Sequence, residues 1–552
     1  MSASDKKKLR KEQKAAILSE KQRQQQAETK KLAIYTTCFI LAMVLVAGVF
    51  LTVLGVNFVK TSGIIEKNTI AATVGDRKLN TVEFNYYYTD AINDFYNDWY
   101  SQSSEDPDSY MLSVLGLDTT LPLNEQIQNE ETGKTWADYF IDEAINNAKS
   151  DYALYDLAMG DETFVFPEES QETLDNTMNN LASYATMYGM STSKYLAAIY
   201  GSGASAKSYE TYYQRSLIAD AYSQAHKDSI TYEDADIRAY EADKIANFTS
   251  YTYYNIYMSH SAFLQGGTAD ENGTVTYSDD ENNAARATLK EAAEKLATAT
   301  SLEELKSLAE TIEVAEGYSV TVNENVHVLH TSLNTTLSDW LCAEGRKEGD
   351  IEAIPNYVKD ADGNETDQAN GYYVVLFGGK DDNTAPMGNV RHLLVKFEGG
   401  EENAETGDIL YSDEEKAAAK EEAESYLKTW KEGEANEASF IELVKAHSDD
   451  TTAETGGLFE NINPNSSYVD NFLNWSIDPA RKAGDAEVIE TEYGYHVMYY
   501  VGDSELSYRD YMITNEMRSA DQETWYNGVL ETVTTSVGNT SKLKLDLIMN
   551  PA

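Results

Sequence analysis

Cysteine is almost missing from this chain, with Cys38 and Cys342 the only two in 552 residues. Cys38 sits in an apolar run near the N-terminus, so Cys342 has no partner and no intramolecular disulfide braces the remainder, which must fold by core burial. Proline (8) and histidine (7) are also scarce. Positive charge is the third shortage: 43 Lys and Arg stand against 93 Asp and Glu, a formal net charge of -50, which excludes nucleic acid as a partner. Tyrosine is plentiful, at 39 against 15 Phe.

The charge is unevenly placed. Residues 1–31 hold ten basic and four acidic side chains (net +6), Leu32 to Val59 hold none, and the chain beyond position 59 carries net -56. Twenty-eight uncharged, mostly apolar residues make about 42 Å of helix at about 1.5 Å each, more than the roughly 30 Å hydrocarbon core needs. Residues 32–59 therefore read as a single membrane span behind a basic cytoplasmic tail (1–31). By the positive-inside rule the acidic body lies outside the cell membrane. A cleaved signal peptide is the competing reading, with Ala47 to Gly55 as its cleavage region, although its basic segment would be unusually long and its apolar core too extended. No lipobox surrounds Cys38.

Beyond the span, about 490 residues predict two to four domains. A strand and turn end in Ala71-Ala72-Thr73-Val74-Gly75-Asp76, and a helix starts near Thr81 with Phe84, Tyr88, Ala91, Ile92, Phe95 and Trp99 on one stripe. Helical patterns follow over Trp136 to Leu157, Glu169 to Met187 and Ser193 to His226, then Ile230 to Ile245 with Thr231 as N-cap. Residues 60–249 are thus mainly helical. Tyr86, Tyr87 and Tyr88 are read either as the lining of a groove or as ordinary helix packing.

After about residue 250 short strands and helices alternate, and the chain repeats itself. Trp340, Arg346, Lys347, Gly349 and Asp350 recur at identical spacing as Trp475, Arg481, Lys482, Gly484 and Asp485. A Gly-Tyr strand follows each set, at Gly371-Tyr372 and Gly494-Tyr495, and a strand opens each copy, Tyr254 to Ser259 and Arg391 to Phe397. Two copies of one α+β module are expected, at 250–385 and 386–504. In the second, Ser412 and Glu415 open a helix to Trp430, Ser439 caps one to His447, Gly456-Gly457 turns the chain, and a helix covers Val469 to about Lys482. Residues 505–552 return to helix, over Tyr508 to Val533. The fold class is α+β.

His392 and His496 occupy the first and last strands of the second copy, with Ser448-Asp449-Asp450 after its second helix. Arg391-His392-Leu393-Leu394-Val395, Phe440 to Asp450, Gly456-Gly457-Leu458, Phe472, Gly484-Asp485 and Gly494-Tyr495-His496-Val497 together resemble a parvulin-type peptidyl-prolyl cis/trans isomerase. Ile230 to Glu241 and Thr73 to Tyr88 resemble the helical chaperone region of SurA- and PrsA-like exported foldases. In those proteins N- and C-terminal helical segments form one lobe, with parvulin modules between them.

The resemblance implies an isomerase of X-Pro bonds in exported, unfolded polypeptides, working without metal or cofactor. It implies that His392 and His496 form a hydrogen-bonded pair and that Asp450 faces the substrate carbonyl. Tyr468 and Phe472 would hold the proline ring, beside Leu394 and Ser448. Tyr468 replaces the family's usual Met. The acidic run Glu398-Gly399-Gly400-Glu401-Glu402 stands where phosphate-directed parvulins are basic, which disfavours phosphorylated clients. The first copy has Tyr373 in place of His496 and Asn255 or Ile256 in place of His392, so it is expected to be inactive. His327 and His330 have metal-compatible spacing with no supporting ligand. A non-catalytic chaperone using both modules as peptide-holding scaffolds is the alternative.

Overall fold

The structure, a computed structural model, describes residues 63–544 except 103–106, 243, 270–273, 360–364, 404–406 and 408. The basic tail and the proposed span at 32–59 lie outside the described residues. Among the described residues no helix is long and apolar enough to cross a membrane. The described chain divides into two compact units, one of residues 232–515 and one combining 63–231 with 516–544.

The second of these is mainly helical. Strands β1 (Ile70–Val74) and β2 (Arg77–Asn80) form a hairpin, followed by helices α1 (Thr81–Gln102), α2 (Trp136–Gly160), α3 (Glu168–Met187), α4 (Thr192–Tyr200) and α5 (Ala206–Ser229). The single helix expected over Ser193 to His226 is two. Gly201-Ser202-Gly203 breaks it, and a capping box between Ser205 and Ser208 restarts it. In the other unit, the helix Asp234–Glu241 is shorter than expected, with Glu233 and not Thr231 at its N-cap. Tyr86, Tyr87 and Tyr88 are all buried, which places them in the core and not along a groove. The Tyr86 ring meets Tyr200, Tyr209 and Tyr212 at 5.0–5.5 Å, and the Tyr87 hydroxyl accepts from Arg215.

The two α+β modules share one topology. In the first, β3 (Ser250–Ser259), β4 (Asn323–Leu329), β5 (Ile351–Lys359) and β6 (Glu365–Asp381) form an antiparallel sheet of order β4-β3-β6-β5. Helices α6 (Asp279–Leu296) and α7 (Leu302–Ala309) cover one face, and α8 (Thr335–Leu341) the other. In the second, β7 (Pro386–Lys396), β8 (Leu458–Ile462), β9 (Ala486–Thr491) and β10 (Gly494–Ser507) repeat that order as β8-β7-β10-β9. Here α9 (Asp413–Glu432) and α10 (Glu437–His447) cover one face and α11 (Asp470–Ser476) the other. Helix α11 is half the expected length, and Asn436, not Ser439, caps α10.

The repeated residues do the same physical work in both copies. The indoles of Trp340 and Trp475 donate to Glu352 and Glu487, with Arg346 and Arg481 stacked over them at 3.7 and 4.4 Å. Gly349 and Gly484 each donate their amide to the carbonyl of the last long strand, at Phe377 and Tyr500. Sequence similarity here reflects a conserved corner that ties α8 or α11 to its sheet.

After β10, helix α12 (Tyr508–Glu531) leads to strand β11 (Thr535–Val537), which pairs with β1 and completes the helical unit's small sheet. Within that unit Gln522 bonds to Ser223 and His226 of α5, and Tyr526 to Ser150 of α2.

Candidate active site

Strand alternation sorts the second module's central strands into two faces. Leu393 and Val395 of β7 and Phe397 just beyond it, with Tyr495, Val497 and Tyr499 of β10, pack under α9 and α10 against Trp430 and Phe440. His392 and Leu394 point to the opposite face, as do His496 and Met498. The register sets Leu394 opposite His496 and His392 opposite Met498, so the histidines are diagonal neighbours within reach of one another.

Their rings are wholly buried and stack 18° apart, Nδ1 to Nδ1 at 2.9 Å. His496 Nε2 lies 2.9 Å from the Thr491 hydroxyl, and His392 Nε2 lies 3.7 Å from Asp450 Oδ1. Burial would raise the Asp450 carboxyl, but the His392 ring, the Thr452 hydroxyl and the Thr452 amide outweigh it and hold it well below the usual carboxylate range. Burial, with His392 beside it, pushes His496 well below 6.5, so it is neutral at neutral pH.

These facts fix the proton positions. With Asp450 ionised 3.7 Å away, its charge favours the His392 proton at Nε2, which makes no hydrogen bond, and the neutral ring then accepts at Nδ1. His496 therefore donates from Nδ1, and its Nε2 accepts from the Thr491 hydroxyl. One row runs Thr491, His496, His392, Asp450, hydrogen-bonded over its first three members and joined to the last by a 3.7 Å electrostatic contact. At its far end Asp450 Oδ2 is buried with no hydrogen-bond partner.

Aromatic rings wall the site. Phe459 and Phe472 meet the His392 ring edge-on at 5.0 and 5.4 Å, and the half-buried Tyr468 packs on both. Leu394 lies buried with Tyr493 and Val469 at the side. Ser448 Oγ accepts the amides of Leu394 and Asp450, so its contacts set the Asp450 loop on β7. Gly457, at φ 64°, accepts the His392 amide. The structure thus gathers His392, His496, Asp450, Tyr468 and Phe472 and adds three residues the sequence reading passed over: Phe459, Thr452 and Thr491. Phe459 carried a signal, being one residue beyond Gly456-Gly457-Leu458 on a strand that must border His392. The two threonines had none.

The first module lacks all of this. Val375 pairs with Asn255 as Met498 pairs with His392, so Asn255, rather than Ile256, occupies the His392 position. Tyr373 occupies that of His496 and Tyr257 that of Leu394, their rings 4.6 Å apart. Asn325, where the second module has Phe459, hydrogen-bonds Asn255, and no aspartate lies between Ala309 and Asn323. Among the described residues no cluster of three or more His, Cys, Asp or Glu side chains is placed to hold a metal ion.

Residues 392–502 match the PPIC-type PPIASE (rotamase) domain family. No curated protein matches the chain. Among solved structures the chain is similar to the peptidylprolyl isomerase PrsA of Bacillus anthracis, at 21% identity over 27% of this chain and 59% of that one, with a TM-score of 0.17. PrsA of Bacillus cereus is similar at 21% identity over 27% of this chain and 50% of that one, also with a TM-score of 0.17. The chain thus covers less than two thirds of either protein, and the domain match alone carries the assignment: residues 392–502 are a parvulin-type peptidyl-prolyl isomerase domain.

Proposed function

We propose that this chain is a membrane-anchored extracytoplasmic foldase, in which the second module (386–504) isomerises X-Pro bonds of newly exported polypeptides while the helical segments (60–249 and 505–552) and the first module (250–385) hold the chain. The observation that carries the catalytic half is the buried His392–His496 pair, aligned by Thr491 and ending on Asp450 beside an aromatic wall.

The barrier to rotation, about 18–20 kcal/mol, is amide resonance. That resonance separates charge, negative on oxygen and positive on nitrogen. Two features of the site weigh against it. The wall of Phe459, Phe472 and Tyr468 takes the proline ring out of water, where the charge-separated planar form loses solvation relative to the twisted one. The unpartnered Asp450 Oδ2 places a fixed negative charge against the negative carbonyl oxygen of the planar form, charge that the twisted form gives up. His392 and His496 position that carboxylate and form the floor. No covalent step is needed, and about 1.4 kcal/mol of preferential binding to the twisted imide gives each tenfold.

Exposed Glu401 and Glu402 flank β7, which favours unphosphorylated clients. The first module's Asn255 and Tyr373 favour holding without catalysis. The +6 tail before an uncharged run supports the anchor. Two experiments test the proposal. Exchange NMR on Ala-Pro and phosphoSer-Pro peptides with the full chain should show acceleration of the first and little of the second, and no acceleration of either would refute the catalytic half. Protease added to intact cells should digest the body, and full protection would refute the topology.

A further inference from the structure

Within the helical unit a groove of about 510 Å³ opens between α2 and α12, lined by Leu157, Trp525, Gly528, Val529 and Val533, with Asp156 at its rim. Its volume lies in the range of ligand sites. On α12 the lining positions 525, 528 and 529 make one helical face, and Thr532 and Val533 continue the lining just past the helix end. Such a face ordinarily carries large apolar side chains, yet its centre is Gly528.

Glycine inside a helix is destabilising relative to alanine, and neither usual reason for it applies. Gly528 is not among the positive-φ glycines. A Cβ built on it meets nothing within 4 Å. What the missing side chain leaves is an open groove floor. Beside it Trp525 is braced, stacked on His226 with ring centroids 3.7 Å apart, while Gln522 holds His226 Nδ1 at 2.7 Å. Asp156 is fixed by a two-pronged pair with Arg77 at 2.6 Å. An apolar floor, one anchored aromatic and an unfilled centre are features of a binding site.

Charge selects the occupant. Residues 63–231 and 516–544 together hold 31 Asp and Glu against 12 Lys and Arg, so an apolar segment entering the groove is favoured when basic residues flank it. We infer that this groove binds apolar segments of unfolded polypeptides flanked by Lys or Arg. The inference rests on the chaperone reading above and gives it a location.

The test uses the full chain and a fluorescent peptide with a Leu/Phe centre and Lys flanks. Anisotropy should report binding, weakened at least tenfold by Gly528→Leu, whose Cβ meets nothing within 4 Å and whose side chain takes up groove volume, and by replacing the Lys flanks with Glu. Gly528→Ala should keep binding and raise the melting temperature. Should Gly528→Leu fail to fold, Thr532→Arg, at an exposed lining position just past α12, provides the repulsive variant and should weaken binding likewise. Binding within twofold of the unaltered chain in the folded filling variant would overturn the inference. Aggregation of a proline-free client separates the two ideas. If the unaltered and filled chains suppress it equally, the groove is wrong and the chaperone reading stands; if neither suppresses it, both fall.

Discussion

Thr491→Val is the sharpest probe of the buried proton chain. Valine keeps the volume and the β-branch but removes the one hydroxyl that donates to His496 Nε2, at 2.9 Å, and accepts the Tyr493 amide, at 3.2 Å. Both groups are buried, so no water replaces the partner. Leaving a buried donor or acceptor unpaired costs about 1–3 kcal/mol, the expected loss of domain stability. The catalytic consequence is separate. The hydroxyl selects the His496 tautomer with N–H at Nδ1. If that preference falls by about 1.4 kcal/mol, the ratio of the correct to the wrong tautomer falls about tenfold, and kcat/KM follows the correctly polarised fraction. The assays are protease-coupled isomerisation of an Ala-Pro peptide and ¹⁵N NMR of the imidazoles. Thr491→Ser, which retains the hydroxyl, should recover most of the activity. A folded Thr491→Val with kcat/KM within twofold of wild type and an unchanged tautomer would refute the proton chain.

Other outcomes follow from the same geometry. Gly457→Ala puts a Cβ 2.3 Å from the His392 carbonyl at φ 64°, so β7 must shift at His392; thermal melts should show a loss of about 2 kcal/mol or more, and activity should drop. The two units should respond to acid in opposite directions. In the isomerase module, His496 is depressed by burial from 6.5, so stability falls as pH drops below about 6.5, and Asp450 adds a further loss below about 3.8. In the helical unit, burial raises Asp90, bonded by Tyr212 and Tyr200 and near Asp94, to about 7, and it raises Asp151, near Asp220 and Arg215, to about 7. Their folded pKa values exceed the ordinary 3.8, so their contribution is full below about pH 4 and is lost as pH rises from there through 7, by about 1.4 kcal/mol per pH unit per group at most. Amide exchange at pH 5 and 8 distinguishes the units, and protection that moves the same way in both would contradict the assignment.

Much of this was legible in the sequence because periodicity and spacing encode it. The five-residue repeat marked a corner in which Trp, Arg, Gly and Asp each have a fixed partner, and the resemblance to parvulins implied the pairing of His392 with His496. Shorter-range competition was harder to read. Gly201-Ser202-Gly203 overrode a continuous helical pattern, α11 stopped at Ser476, and capping moved from Ser439 to Asn436. The choice between Asn255 and Ile256 needed the strand register, which a gapped repeat does not supply. Thr452 and Thr491 were invisible because a threonine one hydrogen bond from a histidine looks like any other strand or loop threonine until the chain folds. The tyrosine triplet was open to a groove or to ordinary helix packing, and its burial decides for packing.

The central claim is that the second module alone catalyses isomerisation through its histidine-aligned carboxylate. The most direct measurement compares kcat/KM for an Ala-Pro peptide in the full chain, in Asp450→Ala, and in His392→Ala with His496→Ala, each checked for folding by circular dichroism. The account predicts measurable activity in the first and a loss of at least tenfold in both variants. Activity retained in the folded variants, or carried by the first module, would contradict it.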